Sequence, residues 1–100
     1  KMKKQNLRSL KQISSSLKMN VALMDDIPAD IVRQLDQVDE DIKDLVPLFS
    51  NEALQLEQKI GDTLLCIESY LSNPQENAQA IADTFRLVHT YIRRRQILTD

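Results

Sequence analysis

The sequence is poor in residues that break helices or cross-link a fold. Its 100 residues include one glycine, three prolines and one cysteine, Cys66. A single glycine excludes a Gly-rich phosphate loop, and a single cysteine excludes an internal disulfide framework. The cysteine usage is compatible with a reducing compartment, so we expect a cytoplasmic protein. Cys66 stands between Leu65 and Ile67 and is expected to be a buried or half-buried small apolar residue.

Aromatic residues and long apolar runs are also scarce. Four aromatic residues and no tryptophan leave a core built mostly from Leu, Ile, Val, Ala and Met, which is typical of a helical bundle. No apolar run approaches the roughly 20 residues that span a bilayer, so we predict no transmembrane segment, and no signal peptide is visible. The chain begins at Lys1 rather than Met, which is compatible with a piece of a longer protein.

Residues for metal or cofactor chemistry are few. One histidine and one cysteine give no zinc site of recognisable spacing. The acidic string DQVDEDIKD, residues 36–44, lacks the glycine of a calcium-binding EF-hand loop. Its Asp36, Glu40 and Lys43 are interpreted as a solvated helix face with pairs three or four residues apart. We therefore expect no metal, no cofactor and no enzymatic activity.

Charge is unevenly distributed, although the net charge is only -2. Residues 1–20 carry six lysines and arginines and no acid. Residues 21–84 carry fourteen acids against three basic residues, and residues 85–100 carry four arginines against Asp100. A basic start and a basic end therefore flank an acidic middle.

Apolar residues recur at helical spacing in four segments, with heptad-like steps of three and four. No window alternates with period two, so no strand is predicted. Leu35, Ile42, Ile60, Ile67, Phe85 and Val88 are expected to be buried. The four stripes are Leu7, Leu10, Leu17, Val21 and Met24; Ile31, Leu35, Val38, Ile42, Leu45 and Phe49; Ala53, Leu56, Ile60, Leu64, Ile67 and Leu71; and Ala78, Ile81, Phe85, Val88 and Ile92.

Prolines and polar residues mark the expected helix ends. The first helix is predicted over residues 3–23, with a serine run at 14–16 that makes it the least stable. Pro28 suits the first turn of the second helix, and Pro47 should end that helix near Leu45 or Val46. Ser50 or Asn51 is expected to cap the third helix. Residues 73–76, NPQE, have the form of a capping box, which predicts that the fourth helix starts there.

These segments predict an all-α fold, a four-helix up-down bundle with short connections, in a single domain spanning residues 1–100. The start of the first helix and the end of the fourth would then share one end of the bundle. That end would gather Lys1, Lys3 and Lys4 with Arg93, Arg94 and Arg95. These residues are either ordinary solvated helix ends or an anion-attracting surface. The surface is too small and too free of aromatic residues to predict nucleic-acid binding.

The single histidine, His89, raises the question of phosphoryl transfer. The strings FSNEALQLEQKIGDTLLCIE, then NP, then FRLVHT, over roughly residues 49–90, resemble part of a histidine phosphotransfer domain. The resemblance implies that His89 accepts a phosphoryl group from an aspartyl phosphate while basic residues hold the phosphoryl oxygens. In that family a lysine and then a small residue stand three and four positions after the histidine, where this chain has Ile92 and Arg93.

The remaining apolar residues favour an interaction surface. Leu23, Met24, Leu48, Leu87, Tyr91 and Leu98 lie beside the main stripes, where they either widen the core or form an exposed stripe for a partner helix. We expect a non-catalytic protein–protein interaction or assembly module that binds another protein, acidic or helical, and homo-oligomerisation stays open. A degenerate histidine phosphotransfer domain is the alternative. The candidate partner-binding residues are Leu87, Tyr91, Arg93, Arg94 and Arg95.

Overall fold

The structure, a computed structural model, describes residues 7–99 of the chain. These residues form four α-helices and no strand: α1 (Leu7–Ala22), α2 (Ala29–Lys43), α3 (Asn51–Tyr70) and α4 (Ala78–Ile97). Residues 23–28, 44–50 and 71–77 connect them. The predicted all-α fold with short connections is therefore confirmed. Within residues 7–99, no helix has both the length and the apolar character needed to cross a membrane.

Contacts between the helices define an up-down bundle. Ser14 and then Lys18 of α1 contact Asp39 and then Asp36 of α2, so these two helices are antiparallel. Glu57 near the start of α3 pairs with Arg95 near the end of α4, so α3 and α4 are antiparallel as well. Arg95 also reaches the carbonyl of Val46, just after α2. The starts of α1 and α3 and the ends of α2 and α4 therefore share one end of the bundle, which we call the Val46 end.

The helices are not arranged around the bundle in chain order. α1 packs against α2 and α3, and α4 packs against α3 and α2. α1 and α4 are therefore diagonally opposed, although both the start of α1 and the end of α4 lie at the Val46 end. Lys1, Lys3 and Lys4 lie outside the described residues, as does the predicted start of the first helix at residue 3.

The apolar core consists of residues from the predicted stripes. Leu35, Ile42, Ile60, Ile67, Phe85 and Val88 are all buried and belong to one apolar cluster. Side chains spaced three or four positions apart lie on one face of a helix, so each stripe turns inward when four helices pack together. Burial of these stripes supplies the main driving force for folding.

Two helix ends differ from the sequence prediction. Phe49 was predicted to extend the second stripe, but α2 ends at Lys43 and the Phe49 side chain is 82% exposed. Helical spacing no longer sets the direction of a side chain once the chain has left the helix. The fourth helix begins at Ala78 rather than at Asn73. The Asn73 side chain does accept a hydrogen bond from the Glu76 backbone N–H at 3.4 Å, but this bond closes a local turn that the helix does not continue.

Candidate protein-interaction surface

Arg95 was predicted to be a surface residue that binds a partner, and its exposure was predicted wrongly. Its side chain is fully buried. Arg95 continues the fourth stripe in steps of four, three, four and three from Ile81, so it faces inward with the apolar residues before it. The neighbouring Arg93 and Arg94 are exposed.

The buried guanidinium fixes the geometry of the Val46 end. Arg95 Nε donates to Glu57 Oε2 at 2.8 Å, and Nη2 donates to the carbonyl of Val46 at 2.7 Å. Nη1 is buried and has no hydrogen-bond partner among the described residues. Glu57 is itself only 2% exposed. One side chain of α4 therefore holds together the start of α3, the end of α4 and the connection that follows α2.

An open groove runs between α3 and α4 at this end of the bundle, with a volume of about 350 Å³. We call it the α3–α4 groove; its lining residues are Glu52, Gln55, Leu56, Lys59, Arg94, Ile97 and Leu98. The apolar members come from both helices, because the two helices run antiparallel and their ends meet here. Ile97 is 60% exposed, so the groove presents a large apolar side chain directly to solvent.

Two cations line the groove, and an aromatic ring lies beside one of them. The Lys59 ammonium lies 5.6 Å from the centroid of the Tyr91 ring, within the range of a cation–π contact. The Tyr91 ring is partly buried against the core. Arg94 follows Tyr91 by three residues, on the same side of α4, and lines the groove. Two predicted partner-binding residues, Tyr91 and Arg94, thus meet at one surface.

The other two predicted partner-binding residues fall in different places. Leu87 is exposed one turn before Tyr91, so it extends the same side of α4 away from the groove. Arg93 is exposed but lies two positions from Tyr91, and residues two apart do not share a helix face. Arg93 therefore lies on the flank of α4 that carries His89, four residues before it.

The charge of the groove determines what it can bind. Lys59 and Arg94 outnumber the one acid, Glu52, among the lining residues. An apolar floor edged by two cations suits a ligand that is both apolar and acidic. The groove lining contains no cysteine, histidine or serine nucleophile, and the described residues contain no group of side chains that could hold a metal ion.

A second polar network lies between α1 and α2. Ser14 donates a hydrogen bond of 2.6 Å to Asp39, and the ammonium groups of Lys18 and Lys43 lie 3.3 and 2.9 Å from the same carboxylate. Burial favours the neutral acid, but the hydrogen bonds from Ser14, Lys43 and Lys18 outweigh it and hold the pKa of Asp39 below its usual range. The hydrogen bond and charge of Asp39, with a smaller contribution from Asp36, raise the pKa of Lys18. This network joins α1 to α2 and lies away from the α3–α4 groove.

His89 and Cys66 complete the set of residues with distinctive chemistry. His89 is partly exposed, and its imidazole forms no hydrogen bond with any described residue. Cys66 was expected to be at least half buried, but it is exposed. The cause is orientation: Ile67, the next residue, faces the core, and a single step along a helix rotates the side chain by about 100°.

Sequence reasoning missed the buried polar residues, although the stripes contained a signal for them. Ser14 stands between Leu10 and Leu17 at steps of four and three, and Arg95 follows Ile92 by three. Glu57 holds the equivalent position between Ala53 and Ile60. A polar residue at a stripe position is expected to be buried, and an acid and a base at such positions on two helices are candidates for a buried pair.

Comparison with known proteins gives no match: no protein-family model matches the chain, and no curated protein or solved structure is significantly similar to it.

Proposed function

We propose that this chain is a non-catalytic protein-interaction module that binds an acidic, apolar segment of a partner in the α3–α4 groove. The observation that carries the proposal is the combination of exposed Ile97, the Lys59–Tyr91 contact and Arg94 at one surface. Apolar contacts would supply most of the affinity, and the two cations would orient the ligand and speed its approach.

The buried ion pair next to the groove residues favours a preformed surface, which supports this function. Arg95 and Glu57 lock the end of α4 to the start of α3 directly beneath the surface. A preformed surface loses little conformational entropy when a ligand binds. An amphipathic helix placed along the groove could bury Ile97 and Leu98 while its acids face Lys59 and Arg94, as in other helix-in-groove complexes.

A designed peptide tests the proposal. The probe is a synthetic amphipathic helix with leucines on one face and glutamates beside them, and its control carries lysines in place of the glutamates. Titration of the labelled chain, followed by NMR, should shift the amide resonances of Lys59, Tyr91 and Arg94 with the acidic peptide only. Raising the salt concentration should weaken this binding, because screening reduces the attraction between exposed charges.

Two neighbouring arginines provide a matched pair of variants. Arg94→Gln removes a cation from the groove and should weaken binding of the acidic peptide. Arg93→Gln removes the same charge from the opposite flank of α4 and should leave binding nearly unchanged. Equal losses in the two variants, or equal binding of the lysine peptide, would contradict the proposed site.

Phosphoryl transfer through His89 is the alternative function. Its support is the partly exposed imidazole, with exposed Arg93 one turn further along α4, where it could hold phosphoryl oxygens. Incubation with a labelled phospho-donor and a receiver protein tests it directly. Acid-labile label that disappears in His89→Gln would establish the activity, and absence of label from the wild-type chain would exclude it for that receiver.

A cytoplasmic location is also part of the proposal. An exposed thiol such as Cys66 stays reduced in that compartment. Labelling of Cys66 by a thiol reagent in intact cells, before and after oxidation, measures whether the thiol is free there.

A further inference from the structure

The Val46 end also exposes large apolar side chains outside the groove. Phe49 is 82% exposed, and Val46 is also exposed in the same connection between α2 and α3. Neither residue lines the α3–α4 groove of its own chain. A protruding phenylalanine is costly to leave in water and is a common anchor of protein interfaces.

This connection is held at both ends. The Val46 carbonyl accepts the hydrogen bond of 2.7 Å from buried Arg95. Three residues beyond Val46 stands Phe49, followed directly by Ser50, whose hydroxyl caps α3 by accepting from the Ala53 backbone N–H at 3.2 Å. The segment is therefore anchored on both sides of its exposed apolar residues. Docking of the segment should then cost little conformational entropy.

The charges beside this segment complement those of the groove. Asp44 is exposed just before Val46 and has no ion-pair partner among the described residues. Asp44, Val46 and Phe49 are thus one acid and two apolar residues exposed in the same short connection, and we call these three residues the plug. The groove offers the opposite character, with Lys59 and Arg94 beside an apolar floor. The chain thus carries, on its own surface, a ligand of the kind that its groove suits.

We propose that the plug of a second copy of this chain occupies the α3–α4 groove, so that two copies form a symmetric dimer through their Val46 ends. The proposal rests on the proposed function of the groove and names its ligand. Plug and groove lie at the same end of the bundle, so one two-fold axis places each plug against the other copy's groove. Such an interface is isologous and closes on itself.

The contact is expected to be small, so the dimer should be weak. The plug and the groove occupy one end of a molecule that extends 40 by 29 by 19 Å between Cα atoms along its principal axes. Stable complexes bury about 800 Å² per partner, and a contact limited to a few side chains from each copy should bury less. Association should therefore depend on concentration and fall within about 1 µM to 1 mM in Kd.

Sedimentation equilibrium of residues 1–100 over a concentration series tests the dimer. Phe49→Ser should raise the dimer Kd by about 100-fold, because each dimer loses two buried phenylalanines and each is worth about tenfold or more. Leu23→Ser is the matched control: Leu23 is 83% exposed but lies after α1, at the opposite end of the bundle. It should leave the Kd unchanged. Circular dichroism should show that both variants fold, since neither side chain is buried.

A groove variant and a mixture complete the test. Ile97→Ser should weaken the dimer as Phe49→Ser does, because it removes an apolar side chain from the groove rather than from the plug. A mixture of the two variants should form a heterodimer, because one intact plug then meets one intact groove. A wild-type chain that stays monomeric at about 1 mM, or equal effects of Leu23→Ser and Phe49→Ser, would overturn the proposal.

The acidic peptide separates failure of the dimer from failure of the groove. Peptide binding to a wild-type chain that never dimerises would overturn self-association and leave the interaction function standing. A Phe49-dependent dimer whose Phe49→Ser variant does not bind the peptide would support self-association and refute the helical ligand. If the chain neither dimerises nor binds the peptide, both the dimer and the proposed function of the groove are refuted.

Discussion

Removal of the buried arginine should destabilise the bundle far more than removal of its exposed neighbour. Arg95→Met keeps a long unbranched side chain but leaves the Glu57 carboxylate buried without a cation and the Val46 carbonyl without its donor. Breaking a buried ion pair in this way costs about 3–5 kcal/mol. Since a domain is typically stable by about 5–15 kcal/mol, this single change should consume a large share of the free energy of unfolding.

The pair as a whole should contribute much less than either single variant suggests. Arg95 Nη1 is buried without a partner, so the folded state already bears part of the cost of burying the guanidinium. Replacing both partners, as Glu57→Leu with Arg95→Met, should therefore be close to neutral or stabilising by about 1–4 kcal/mol. The two single variants and the double variant together form a double-mutant cycle that measures the coupling.

Urea unfolding at neutral pH, followed by circular dichroism, provides the measurement. Arg94→Met is the control, because Arg94 is exposed and its replacement should change the free energy of unfolding by no more than about 0.5 kcal/mol. If Arg95→Met costs no more than Arg94→Met, the guanidinium is not buried against Glu57 and the reasoning is refuted. Because Arg95 is buried, changing it would disturb the fold. The charge of the groove is therefore tested with Arg94→Gln alone.

Three further predictions concern the core, the Asp39 network and α1. Phe85→Ala should cost about 3–5 kcal/mol in denaturant melts, because the ring is fully enclosed; a loss below about 1 kcal/mol would contradict its placement. The folded-state pKa of Asp39 is lowered, so its contribution to stability is present above about pH 4 and is lost as the pH falls through the folded pKa. Asp39→Asn should flatten this acid dependence, whereas exposed Asp36→Asn should largely preserve it. In hydrogen exchange, the amides of α1 should open before those of residues 53–71, and equal protection of the two segments would refute this.

The sequence alone determined the four helices and the apolar residues of the core. Apolar periodicity is a local property, because the spacing of side chains along one helix fixes which of them share a face. Leu35, Ile60 and Phe85 could therefore be assigned to the core without knowing how the helices pack. The connections were less predictable: Phe49 and Asn73 lie where no helical period sets the direction of the side chain.

Only the tertiary structure decided which polar residues meet. Arg95 and Glu57 are 38 positions apart, and their contact depends on the rotation and pairing of two helices, which the sequence of neither helix specifies. The same holds for Ser14 with Asp39 and for Lys59 with Tyr91. Of the three consecutive arginines, Arg95 is buried in the core, whereas Arg93 and Arg94 are exposed on opposite flanks of α4. The candidate site could not be predicted from the sequence because its residues come from two helices and meet only when those helices pack. Each apolar stripe, in contrast, lies within a single helix.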